Sequence, residues 1–169
     1  MAKRHSDTQY TFKVNLKGNK RMWRTVVLRG DHRLSDLHEI IFEAFDRYDQ
    51  HLYSFYFPKQ VVRRDRFDFP PKEYTSPIML QEADPFSERK PSNAAKTKLD
   101  SLRLEVGQTF EYLFDFGDNW LHEIKVTAIE PVDKTKKTTL PLILERRGES
   151  PPQYPDYDEE DEQDEGEEE

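Results

Sequence analysis

Five side chains in this sequence are of types that do chemistry in combination: His38, His51, Asp115, Asp118 and His122. Imidazole nitrogens and carboxylate oxygens are ligands for a divalent cation. A bound cation acidifies water enough to supply a hydroxide nucleophile near neutral pH. On that chemistry the five form the candidate catalytic set of a metal-dependent hydrolase or nuclease-like enzyme. Their spacing matches no standard metal motif, and no His-Glu-x-x-His run occurs. A structural reading stands beside the catalytic one and is preferred. Asp118 and Asn119 serve a turn, His122 hydrogen-bonds a neighbour on an apolar face beside Trp120, and His38 caps or packs locally beside Leu37. No metal ligand and no cofactor is assigned.

A second group is cationic. Arg63, Arg64 and Arg66 cluster, and Lys134, Lys136, Lys137, Arg146 and Arg147 add to them. Eleven Phe, eight Tyr and two Trp offer surfaces on which bases stack. Nucleic-acid binding is therefore a further alternative. Charge argues against it. The chain carries −8 overall, but residues 156–169 hold eleven of its acidic groups and no basic one. That leaves 23 acidic against 26 basic residues in 1–155, only about +3. A tail so acidic competes with phosphates for the same cations. Arg63, Arg64, Arg66 and Trp120 are kept as the candidate binding residues.

The elements that must position these groups are legible from periodicity. Tyr10, Phe12, Val14 and Leu16 alternate with polar residues as a strand does, and Met22 to Leu28 returns after a Gly18-Asn19 turn. Leu34, Leu37, Ile40, Ile41, Ala44, Phe45 and Tyr48 recur at helical spacing, which predicts a helix over about 34–48, capped by Asp31 or Ser35. His51 to Phe57 is aromatic enough for a third strand. Prolines 58, 70, 71, 77, 85 and 91 interrupt residues 58–96, which read as a long excursion, partly strand or short helix. Thr109 to Ile129 reads as a β-hairpin closing on Phe116-Gly117-Asp118-Asn119-Trp120. With Phe116 opposite Trp120, Phe114 meets His122, Tyr112 meets Ile124, Phe110 meets Val126, and Glu111 pairs with Lys125 on the other face. Leu140 to Leu144 is a last apolar segment.

The expected architecture is α+β: a mainly antiparallel sheet with one principal helix packed on it, as one domain over 1–155. The acidic tail 156–169 is expected to be disordered, since it repels itself and has no apolar anchor. With no cysteine, disulfides, thiolate zinc sites and cysteine nucleophiles are excluded, which suits a cytoplasmic location. No apolar run follows Met1-Ala2-Lys3-Arg4-His5-Ser6, so no secretory leader is expected, and no stretch approaches a membrane span.

Trp23-Arg24, Leu37-His38, His51-Leu52 and Tyr112-x-Phe-Asp-Phe-Gly-Asp-x-Trp120-x-His122 together resemble the plasmid pRiA4b open-reading-frame-three-like family, over roughly residues 8–155. The last motif is the specific one. The resemblance implies an α+β fold on antiparallel strands and carries no settled activity; some members are labelled passenger proteins of insertion elements. Members tend to have a Gly-Trp pair after the helix, where Asp46-Arg47-Tyr48 stands here. They also tend to end in a Gly-rich segment with Cys or Asp, of which Gly148 to Pro152 keeps only the beginning. The expected function is a non-enzymatic binding or accessory module. Its partner is expected to be a protein, met through the 58–96 excursion and the rim of the hairpin, with oligomeric state left open by the sequence.

Overall fold

A computed structural model describes residues 6–58, 72–82, 84–86, 90–136 and 138–154. In chain order these form β1 (Thr8–Leu16), β2 (Trp23–Arg29), α1 (Leu34–Ala44), β3 (Tyr53–Phe57), β4 (Lys72–Thr75), α2 (Pro77–Glu82), β5 (Ser92–Asn93), β6 (Thr109–Phe114), β7 (Trp120–Pro131) and β8 (Leu142–Arg147). One-turn 3₁₀ helices occupy Ala94–Lys96 and Leu99–Leu102. The strands make one mixed sheet in the order β5-β4-β3-β6-β7-β1-β2-β8. Every neighbouring pair is antiparallel except β4 with β5. The fold is α+β and sheet-dominated. Among the described residues no helix is long and apolar enough to cross a membrane. Arg63, Arg64, Arg66 and the acidic tail lie outside the described residues.

Period-two alternation decides which face of the sheet is apolar. Tyr10, Phe12, Val14 and Leu16 of β1, Phe110, Tyr112 and Phe114 of β6, and Ile124 and Val126 of β7 are all buried on that face. Against it lies α1, which buries Leu34, Leu37, His38, Ile40, Ile41 and Ala44. Phe12, Phe45, Phe55, Phe110 and Phe114 are each at most 1% exposed. Burial of one such side chain stabilises by about 1.5–3 kcal/mol.

Three expectations are corrected. First, α1 ends at Ala44, short of Tyr48. Its end is a Schellman motif: the Asp46 N–H donates to Glu43 O and the Arg47 N–H to Phe42 O, with Asp46 at φ 56°. Leaving the helix there turns Arg47 inward and leaves Tyr48 exposed. Second, the helix begins with Arg33 at the N-cap, not Asp31 or Ser35, and the Asp36 carboxylate accepts from the Arg33 N–H at 2.7 Å. Third, the hairpin register is shifted by two residues. Phe114 pairs with Trp120, Tyr112 with His122, Phe110 with Ile124, and Glu111 with Glu123. The expected Glu111–Lys125 pair is absent; Glu111 meets Lys17 instead, at 2.8 Å.

The cause of the shift is the loop chemistry. Asp115 and Asn119 both take the left-handed conformation, at φ 63° and 55°. The Asp115 Oδ1 accepts from the N–H groups of Gly117 and Asp118, and Asp115 O accepts from the Asn119 N–H at 2.6 Å. Short polar side chains tolerate this conformation and bond their own backbone two residues on. The loop therefore holds 115–119, and a two-residue shift leaves every apolar side chain on its expected face.

Candidate functional site

The groups singled out for chemistry gather at one end of the sheet, where the β6–β7 hairpin, the end of α1 and the start of β3 meet. Strand β6 supplies Tyr112, fully buried between two histidines. Its hydroxyl lies 2.6 Å from His38 Nδ1, and its carbonyl oxygen 3.1 Å from His122 Nδ1. The other nitrogens are engaged as well: His38 Nε2 lies 3.0 Å from Gln50 Oε1, and His122 Nε2 lies 2.7 Å from Arg47 Nη2.

These contacts fix the tautomers. Guanidinium only donates, so His122 accepts at Nε2 and donates from Nδ1 to the Tyr112 carbonyl. Gln50 Oε1 only accepts, so His38 donates from Nε2 and accepts the Tyr112 O–H at Nδ1. Both rings are neutral. Burial pushes His38 down to about 4, against the pull of the Gln50 bond upward. His122 is held well below the ordinary histidine value, by burial first and the Arg47 charge second. Burial also raises the Tyr112 phenol well above its usual range, which keeps its proton in place.

Arg47 is the residue sequence reasoning missed. It is 8% exposed, and its guanidinium lies over Phe114, Phe45 and Trp120 at 4.9, 5.1 and 5.5 Å from the ring centroids. Burial lowers it to about 10, so it remains a cation at neutral pH. No periodicity marks it, because it lies past the end of the helix that the periodicity describes. Arg24, also buried, was readable: its inward position alternates with Val26 and Leu28. It donates to Ala44 O, Trp23 O and Arg147 O.

His51, a third exposed, and the buried Asp115 belong to the same region. His51 Nε2 lies 3.5 Å from Asp115 Oδ2, 3.7 Å from Asp49 Oδ2 and 2.6 Å from the Tyr154 hydroxyl. Tyr154 donates in turn to Asp49 at 2.7 Å. The segment bearing Tyr154 is fastened beside α1. Ser150 Oγ donates to Phe45 O. The buried Gln153 accepts from the N–H groups of Tyr48 and Asp49 and donates to Asp49 O. Neither Gln153 nor Tyr154 was singled out in the sequence; both stand in the Pro-rich exit, where no periodic signal exists.

The five candidate residues are thus split. His38 and His122 are joined through Tyr112 and buried, with all four ring nitrogens engaged. His51, a third exposed, meets the buried Asp115. Asp118 is exposed on the loop and contributes its backbone N–H to the turn. Among the described residues no group of three or more His, Cys, Asp or Glu side chains is arranged to hold a metal ion. Trp120 is partly buried and serves as a face for Arg47. Arg146 and Arg147, counted among the cations, have internal roles. Arg146 donates to Ala44 O and Asp46, and Arg147 lies over Trp23.

A mainly antiparallel sheet covered by one helix, with an Asp-Phe-Gly-Asp-Asn loop beside a histidine from the next strand, defines the class of α+β protein to which this chain belongs. It is a member of the plasmid pRiA4b ORF-3-like protein family, whose model matches residues 8–156. It is 32% identical over 131 residues to the uncharacterized protein y4hQ of Sinorhizobium fredii, covering 77% of this chain. The chain spans 57% of that relative's length. In fold it is similar to MM3350 of Methanosarcina mazei Go1, a protein of unknown function, with a TM-score of 0.69 at 21% identity over 88% of this chain and 74% of that one.

Proposed function

We propose that the protein is a non-enzymatic binding module of the cytoplasm that docks a protein partner, in keeping with an accessory role beside mobile genetic elements. The observation that carries this reading is where reactivity and exposure fall. The buried histidines have no free nitrogen, while large apolar side chains stand in solvent on connecting segments. Ile78 and Phe86, 56% and 92% exposed, belong to the 58–96 excursion. Tyr48 and Tyr154 have rings 5.9 Å apart, Tyr154 bonds His51, and Phe116 is exposed on the hairpin loop. Exposed aromatics are enriched at the centres of protein interfaces.

The test uses in-cell cross-linking with the full chain. Two double variants are compared with wild type: Ile78→Ser with Phe86→Ser, and Tyr48→Ser with Phe116→Ser. Because all four side chains are exposed, each variant keeps its stability to within about 0.5 kcal/mol per site. Loss of the same cross-linked protein in either variant is the expected result. An unchanged set of cross-linked proteins in both variants would sink the reading.

A further inference from the structure

We propose that Arg47 and Trp120 form a binding site for a carboxylate, an inference that goes beyond partner docking and does not depend on it. Three buried side-chain polar atoms among the described residues have no hydrogen-bond partner: Arg47 Nη1, Trp120 Nε1 and Ser76 Oγ. Two of the three belong to groups in direct contact, since the Arg47 guanidinium carbon lies 5.5 Å from the Trp120 ring centroid. Both are N–H donors. A buried donor without an acceptor is destabilising, more so when charged, so two of them on residues in contact mark a position that the chain itself does not satisfy.

Charge points the same way. Among the described residues no carboxylate lies within ion-pairing distance of Arg47. Its one bonded neighbour is the neutral His122, and the remaining surroundings are the rings of Phe45, Phe114 and Trp120. Arg24 is the internal control. It is also buried and also lies near Phe45, at 5.5 Å, yet it donates to three carbonyl oxygens. Arg24 meets carbonyl oxygens of the chain at Nε and Nη1; Arg47 Nη1 meets no acceptor.

The number and type of donors select the class of anion. One guanidinium N–H and one indole N–H, set among flat rings, suit a planar group with two acceptor oxygens and a single negative charge. A phosphate brings further oxygens and charge that these two donors leave unsatisfied. The two donor atoms are themselves buried, while the rest of Trp120 is partly exposed and adjoins the exposed residues 116–119. The carboxylate can come from a small free acid or from an acidic polypeptide.

The chain has two tryptophans, so its indole ¹⁵N–¹H resonances report the site and its control together. The full chain is titrated with sodium benzoate, with a peptide of the sequence of residues 156–169, and with sodium phosphate, at constant ionic strength set by chloride. The expected result is a saturable shift of the Trp120 resonance with benzoate or with the peptide, Trp23 staying fixed; the probe that saturates at the lower concentration identifies the source. Arg47→Lys is expected to weaken that binding at least about tenfold, since an ammonium loses the planar fork. Trp120→Phe keeps the ring and removes the donor. It is expected to abolish the benzoate-induced rise in thermal midpoint, and it carries the test if Arg47→Lys does not fold. No saturable shift with either carboxylate, equal shifts of both tryptophans, or tighter binding of phosphate would overturn the proposal.

Discussion

His122 and His51 are both linked to Phe114, one through Arg47 and one directly, and have opposite fates. Arg47 lies over the Phe114 ring and bonds His122, which is wholly buried. His51 meets Phe114 edge-on at 5.8 Å and stays a third exposed, among Asp49, Asp115 and Tyr154. The residue type is the same and the surroundings differ. Burial forces the first imidazole to be neutral and to satisfy both nitrogens within the fold. Access to water lets the second bond solvent as well as protein. Chemistry-bearing residue types therefore identify a functional site only after burial has been assigned to each.

The largest expected effect tests that contrast directly. His122→Ala removes a buried ring and leaves Arg47 Nη2 without its acceptor; unfolding free energy should fall by roughly 3 kcal/mol or more. His51→Ala should cost no more than about 1 kcal/mol. Urea unfolding of both variants measures the difference, and equal losses would erase the distinction.

An effect of comparable size follows from pH. His38 sits at about 4 in the folded chain and near 6.5 when unfolded. Between these values the unfolded chain binds the extra proton, so stability rises with pH. It is fully present above about 6.5 and is lost as pH falls toward 4, by about 3 kcal/mol from His38 alone. His122, shifted in the same direction, adds to the loss. Histidine ring NMR should show His38 still neutral at pH 5; ordinary titration near 6.5 would mean the Tyr112 network does not hold it.

The smallest effect concerns the turn that delivers Arg47 to the buried side. Asp46 occupies the left-handed position of the helix end, where glycine has no steric penalty. Asp46→Gly should stabilise by about 0.5–1 kcal/mol, less a few tenths for the exposed contact with Arg146. A raised thermal midpoint with an unchanged Trp120 indole resonance is the expected outcome. A fall would show that the Asp46–Arg146 pair, and not the turn, secures this end of α1.

Much of the framework was legible in the residues alone. Alternation at Phe110, Tyr112 and Phe114 and at His122, Ile124 and Val126 assigns those side chains to one face, because the strand period of two follows from backbone geometry. Helical spacing places α1 by the same logic, and the Tyr112 to His122 motif carries the family resemblance. Alternation cannot distinguish registers that differ by two residues, since both bury the same side chains. The choice fell to the left-handed turn at Asp115 and Asn119. Nor does spacing report where a helix stops when the stop is an aspartate at a position glycine usually fills. That one backbone reversal exposes Tyr48 and buries Arg47. The pairing of Arg47 with His122, 75 residues on in the chain, and the Tyr112 hydroxyl between His38 and its own strand were decided by the tertiary structure. Hydrogen bonds between distant segments depend on burial and direction, which local sequence does not encode; the apolar faces that bring those segments together, it does.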